Sequence, residues 1–390
     1  MTAAPADPFG FESLSLESLR AKPGGKWARY PGALAAWVAD MDFPPAPAIT
    51  DAVHAVAASG DFGYPLWQGT HSPTSAEHAF VAWSARRHGW QIDVADVVPL
   101  ADVVQAIQLV LHTCTAPGDR VVVHTPAYPP FLSSVNKTGR ELVRLPAQRD
   151  EASVTGWAFD YEWLDAELAA RPAKVLLLSH PHNPTGHVFG EAELRDLAAL
   201  AERHDLLIIS DEIHADLTYA PHVHRPMALF APHRTVTVTS PSKAFAMPGL
   251  RYAVAHFGSA AARAAVRTLP DHLLGTISLT AEAAATAAWT DSDEWLAAVL
   301  ARLDANRGVV GELLAEHLPQ VGYVSPAATY LAWLDCRALG VGDDPSQTFA
   351  QRGVRLSEGP NFGPEGKGHA RLNFATSSAV VREIIARMAG

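Results

Sequence analysis

The residues with the most chemistry to offer lie at 240–251, SPSKAFAMPGLR, directly after a β-branched run at 235–239. Val236 and Val238 alternate with Thr237 and Thr239 as in a half-buried strand, and Pro241, which lacks a backbone donor, stops the ladder. Lys243 is thereby placed on a turn beside a sheet, with Ser240, Ser242 and Arg251 near it in sequence. Two hydroxyls and a guanidinium make a phosphate cradle, and a lysine among them can carry a Schiff base. A lone lysine on a turn is more often an ordinary surface residue than a functional one, so the decision rests on what other strands bring to the same place.

Two more segments end in the same manner. Residues 174–179, KVLLLS, read as a strand buried on both faces and lead into HPHNPTG, and residues 205–210 read as the next buried strand and lead into DEIHADLTY. With the helix expected at 194–204 they form a βαβ unit, and ligands of open α/β sheets bind outside the carboxyl ends of the strands. Asn183 and Asp211, one crossover apart, are expected to face one crevice. A strand at 97–100 runs into a helix ending near Cys114 with Asp102 as its N-cap, which leaves the amides of Val103 and Val104 free for an anion. The Asp102 carboxylate would oppose a phosphate unless it is turned inward as the cap. A strand at 120–123 leads to Tyr128, whose flanking prolines make a rigid loop that projects the ring. Tyr64, in the loop at 63–65, is either a turn residue or a cap over a ligand.

Around these ends the pattern predicts an irregular arm over 1–35 with a short helix at 12–20, a strand at 36–43, and helices at 49–59 and 74–88. It also predicts a strand at 142–145, an acidic helix at 157–170, and two or three helices in the Ala-rich region 260–315, one running from 293 to about 318. Strand-like segments at 329–335, 354–359 and 370–376 point to a smaller C-terminal α/β domain.

Composition narrows the partners. A chain of 390 residues with 48% hydrophobic residues exceeds the usual reach of one core, and a net charge of −11 argues against nucleic acid and anionic membranes. A small-molecule ligand is expected. Two distant cysteines, Cys114 and Cys336, build neither a disulfide framework nor a zinc site, and no signal or spanning segment is evident, so the expected location is the cytoplasm. The eighteen histidines show no ligand spacing, so no metal is expected. His222 and His224 fall in a proline-bounded loop of the kind that exposes histidines, whereas His180 and His182 read as loop packing.

Taken in order, HNPTG at 182–186, DEIH at 211–214, SPSKAFAMPGLR at 240–251 and RLNFATS at 371–377 resemble fold-type I pyridoxal-phosphate enzymes of the aminotransferase class I and II group. WVADMDF, the GYP loop with the WSARRHGW helix, TPAYPPF and ATYLAWLD resemble the cystathionine β-lyase-like branch, the MalY/PatB C–S lyases. The resemblance implies an α/β fold with a large domain built on a mostly parallel central sheet flanked by helices, plus a smaller α/β domain. The implied division is 1–45 as arm and part of the small domain, 46–285 as the large domain, and 286–390 as the small domain.

It further implies that Lys243 holds pyridoxal 5'-phosphate covalently and moves protons, that Asp211 pairs with the ring nitrogen, that Asn183 bonds the ring hydroxyl, and that Tyr128 stacks on the ring. Val103, Val104, Ser240, Ser242 and Arg251 would receive the phosphate, joined by Tyr64 from the second subunit of a homodimer, and Arg371 would grip the substrate carboxylate. Tyr64 and Asn183 also border the substrate. His214 stands where many aminotransferases have tyrosine, and this changes what touches the ring hydroxyl. Asp40 and Asp42 either cap a helix or line the carboxylate site, and Tyr330 and Trp333 belong to the small-domain core or its edge. The polar stretch WQGTHSP at 67–73 borders the site and would adapt it to a bulky thiol-bearing substrate. The implied reaction is β-elimination from an S-substituted L-cysteine to thiol, pyruvate and ammonia. Transamination and decarboxylation on the same scaffold are the alternatives, and a non-catalytic cofactor-binding regulator is the remote one.

Overall fold

A computed structural model of the chain describes residues 7–65 and 73–390. Its centre is a seven-stranded sheet in the spatial order Val97–Leu100, Ala253–Phe257, Thr235–Thr239, Leu207–Asp211, Val175–Ser179, Arg120–Thr125, Glu141–Pro146. All neighbours pair in parallel except Ala253–Phe257, which runs against both of its neighbours. The continuous apolar runs are explained by helices on both faces. Val121, Val123, Val175, Leu177 and Ile209 pack on one side with Val103 and Ile107, while Val122, Leu176, Leu178 and Ile208 pack on the other with Leu194, Leu197 and Leu200. This is the period of two that a strand imposes, with both phases apolar.

A second sheet has five strands in the order Leu34–Ala36, Val354–Glu358, His369–Asn373, Leu331–Asp335, Gly322–Tyr323. Its first strand comes from the N-terminal region and pairs in parallel with Val354–Glu358. The strand expected at 36–43 is therefore only partly present, for a physical reason. Beyond Ala36 the backbone carbonyls serve side chains instead of a ladder: Asn373 Nδ2 donates to Val38 O at 2.7 Å and Asp40 O at 2.6 Å, and Arg371 donates to Trp37 O at 3.1 Å.

Other differences are local. The helix expected at 157–170 begins only at Tyr161, because the Asp160 carboxylate accepts from Trp163 N at 2.9 Å and caps it there. Trp157–Ala158 instead forms a short antiparallel ribbon with Gln148–Arg149. The arm helix spans Leu16–Arg20, with Ser15 and Ser18 closing a capping box. The Ala-rich region holds four helices, Ala260–Val266, Asp271–Leu274, Leu279–Asp291 and Asp293–His317. Among the described residues no helix is long and apolar enough to cross a membrane.

Candidate active site

The sheet gathers its polar residues along one edge. Leu100, Thr125, Ser179, Asp211 and Thr239 are the carboxyl ends of parallel strands, and the antiparallel strand starts at the same edge, with Ala253 opposite Leu100 and Val254 opposite Thr239. Arg251 is thereby delivered to the same place as Lys243. The edge opens into a cavity of about 380 Å³ lined by Val103, Val104, Tyr128, Asn183, Asp211, His214, Ser240, Ser242, Lys243 and Arg251. Tyr128 also lines an adjoining cavity of about 400 Å³, which contains Arg371.

Lys243 sits in a run of turns after its strand, held by backbone bonds from Phe245 N to Pro241 O at 2.9 Å and from Met247 N to Ser242 O at 3.1 Å. Ala246 and Arg251 take left-handed φ values of 54° and 56°, a conformation costly for residues with a Cβ and here enforced by the strands on either side. The ammonium donates to Ala39 O at 2.6 Å. Burial is the main cause that lowers its pKa from 10.5 to about 8; Asp40 and Asp211 work against that shift, and Arg371 and Arg251 reinforce it. A lysine so tuned supplies free amine near neutral pH.

Asp211 is buried at the end of its strand. Its Oδ1 accepts from Ile213 N at 3.1 Å, and no other donor among the described residues reaches the carboxylate. Burial raises its pKa from 3.8 to about 7, against the pull of the Ile213 amide and Lys243. His214 is also buried; desolvation first, then Lys243 and Arg371, lower its pKa to about 3, so the ring is neutral. Its Nδ1 has no partner among the described residues, and its ring lies edge-on to Tyr330 at 6.3 Å. Burial raises the pKa of Tyr128 as well, which keeps the phenol protonated. Gly186, the last residue of HNPTG, has φ +71°, and a Cβ there would lie 2.3 Å from Pro326 Cβ and 2.9 Å from Ala328 O. Only glycine lets the loop that carries Asn183 pack this closely on the segment 326–328.

At the other end of the cavity the helix Val103–Cys114 starts, and its first amides point out of the helix without intrahelical acceptors. Asp102 resolves the conflict posed by its charge. One oxygen caps the helix by accepting from Gln105 N at 2.8 Å, and the other is ion-paired with Arg251. Ser240 is engaged with Tyr252 O at 2.5 Å and accepts from Ser242 N at 3.1 Å, which orders the turn, while the Ser242 hydroxyl makes no bond to the described residues.

Arg371 projects from the second sheet. Its guanidinium donates to Asn183 Oδ1 at 3.0 Å, Ser357 Oγ at 3.0 Å and Trp37 O at 3.1 Å, and it lies 4.9 Å from the centre of the Phe362 ring. It is 4% exposed, has no carboxylate partner, and its Nε is unpartnered among the described residues. Burial lowers its pKa to about 10, so it remains charged at neutral pH. A buried cation without an anion marks where an anion is received.

Not every residue singled out in the sequence arrives here. Tyr64 is 90% exposed and is not part of the cavity wall. Of the stretch at 67–73, only Pro73 lies within the described residues. Asp42 neither caps a helix nor reaches Arg371: it pairs with Lys26 at 3.0 Å and accepts from Trp27 at 2.7 Å, and the helix Pro47–Ser59 is preceded by Ala46 as its N-cap. Asp40 lies close enough to Lys243 to influence its charge. His224 is buried, against the exposure expected of its loop, because Glu212 holds it at 2.9 Å. His180 and His182 are fully buried packing groups. Trp333 and Tyr330 are buried in the second sheet's region, and Tyr330 also backs His214. The sequence reading missed Ser357 and the carbonyls of Trp37 and Ala39; the carbonyls carry no side-chain signal at all.

The chain matches the family model for aminotransferase class I and II over residues 38–388. It is 32% identical to the cystathionine β-lyase PatB of Bacillus subtilis (strain 168), with 97% of each chain covered. It is 32% identical to a cystathionine β-lyase of Corynebacterium glutamicum, covering 96% of this chain and 98% of the relative. Among solved structures, cystalysin from Treponema denticola, which contains a pyridoxal 5'-phosphate cofactor, superimposes with a TM-score of 0.88 at 25% identity, covering 95% and 96% of the two chains.

Proposed function

The chain belongs to the aminotransferase class I and II family, and from that premise we propose that it is a pyridoxal-phosphate-dependent C–S β-lyase that cleaves an S-substituted L-cysteine to thiol, pyruvate and ammonia. The fold is that of the fold-type I enzymes. One observation carries the reading: Lys243, Asp211 and the anion-free Arg371 converge from two sheets on adjoining cavities that share Tyr128.

The donor set fits the cofactor. Asp211 is a buried carboxylate that lines the cavity and has no ion-pair partner among the described residues, which suits a protonated ring nitrogen. The free amides of Val103 and Val104, the unengaged Ser242 hydroxyl and the exposed guanidinium of Arg251 together suit a phosphate. Lys243 is the amine for covalent attachment. When bound, pyridoxal 5'-phosphate supplies a cationic conjugated ring that takes up the electron pair released at Cα.

The chain's own residues do the rest. Arg371 takes the substrate carboxylate, and because Asn183, Ser357 and Trp37 fix its plane, it orients Cα towards Lys243. Lys243 Nζ removes the proton at Cα and would pass it to the departing thiolate sulfur, so that the leaving group exits as a neutral thiol. Tyr128, which lines both cavities, would limit the tilt of a bound ring. Neutral His214 would bring no charge to the cavity that holds the cofactor.

The substrate is a small amino acid in this reading. A homodimer with shared sites is supported by Tyr64, which is 90% exposed on a single copy of the chain. A cytoplasmic location is supported by Cys114 and Cys336 both being free thiols. Loaded with cofactor, the enzyme should release pyruvate and thiol in equal amounts from S-alkyl-L-cysteines. Exchange of amino and keto acids without thiol release would overturn the assignment, and carbon dioxide release would replace it with decarboxylation.

A further inference from the structure

The second cavity carries more positive charge than a single substrate carboxylate requires. Besides Arg371 its wall holds Arg29 and Arg355, against one acid, Glu358, which already accepts from Asn361 at 2.7 Å. Neither Arg29 nor Arg355 has a carboxylate or carbonyl partner among the described residues; both rest on aromatic faces. Arg355 lies 4.5 Å over the ring of Tyr30, and Arg29 lies 5.6 Å from the same ring and 5.5 Å from that of Trp37. Stacking on rings presets a guanidinium's plane while leaving its N–H groups unspent.

The register places Arg355 usefully. It stands two residues before Ser357 on the strand Val354–Glu358, so the two side chains leave the same face, and Ser357 is the residue that holds Arg371. Two residues along a strand span about 7 Å. A thioether arm that runs along this strand from an α-carboxylate anchored at Arg371 would come within reach of Arg355.

Resting on the C–S lyase reading, we propose that Arg355, assisted by Arg29, is the specificity-determining group for a carboxylate on the leaving thiol, so that the preferred substrates are cysteine S-conjugates with an anionic distal group. Charge-assisted bonds to a half-buried guanidinium such as that of Arg355 discriminate against an uncharged isostere by about tenfold to a hundredfold.

The test uses the cofactor-loaded full chain and three conjugates: S-(2-carboxyethyl)-L-cysteine, its isosteric amide, and S-propyl-L-cysteine. Pyruvate release from S-propyl-L-cysteine examines the lyase reading independently of any distal charge. The carboxylate-to-amide ratio of kcat/KM examines the proposal, with about tenfold or more expected for the wild type, near unity for Arg355→Met, and an intermediate value for Arg355→Lys. If no conjugate is turned over, the lyase reading fails, and the ratio of dissociation constants from cofactor absorbance titrations still decides the proposal. Equal handling of carboxylate and amide by the wild type, or a preference that survives in Arg355→Met, overturns it.

Discussion

Replacing Arg371 by methionine separates what this residue does for substrate from what it does for the fold. Arg371 is 4% exposed, charged at neutral pH and without an anionic partner among the described residues. Removing one partner of a buried, hydrogen-bonded charge pair costs about 2–5 kcal/mol of binding. At ~1.4 kcal/mol per tenfold, that is a loss of about thirtyfold to five-thousandfold in kcat/KM for pyruvate release. Stability should move differently. The variant gives up three hydrogen bonds, to Asn183, Ser357 and Trp37, each worth ~1 kcal/mol. It also removes an unpaired buried charge, whose desolvation costs several kcal/mol. Thermal unfolding of the substrate-free protein should therefore begin no lower in Arg371→Met than in the wild type, with cofactor absorbance retained. A fall in kcat/KM of less than about tenfold, or a loss of activity matched by a loss of folded protein, would refute the argument that this cation is held in readiness for an anion.

Other outcomes follow from the same geometry. Lys243→Ala should lose the borohydride-trappable yellow chromophore; a retained trappable adduct would remove Lys243 from its role. The rate at which cofactor-free protein takes up pyridoxal phosphate should climb with pH and level off above about 8, where the Lys243 amine becomes neutral, and a profile still rising steeply at pH 10 would contradict the lowered pKa. Because that folded value lies below the unfolded 10.5, the unfolded chain binds the extra proton between the two, so this lysine's contribution to apoprotein stability rises with pH across that window and its penalty is fully present below it. Gly186→Ala should cost at least about 2 kcal/mol, since it combines left-handed strain with a backbone clash, and an unchanged urea midpoint would show that the loop yields easily.

Much of the site was legible because its signals are local. A continuous apolar run with both phases buried announces a central strand, and the polar residues just after such runs, Asn183 after Ser179 and Lys243 after Thr239, fall at the sheet edge by chain connectivity alone. Asp102 could be named as a cap because capping depends on the next three residues. Elements whose pairing is marginal were harder: Trp157–Ala158 became a ribbon strand only because Gln148–Arg149 lies beside it.

The sequence by itself thus determined the strand-end chemistry: which residues follow which strands, and that a lysine, a carboxylate, an amide and a helix start share one edge. Tertiary structure alone decided how those groups are charged and aimed. Arg371 meets Asn183 across 188 residues, Lys243 meets the carbonyl of Ala39 across 204, and Arg251 meets Asp102 across 149. No periodicity encodes such distances, and a carbonyl acceptor leaves no mark on residue type. Desolvation, which brings Lys243 to about 8 and Asp211 to about 7, likewise depends on everything packed around the group and on nothing in its immediate sequence.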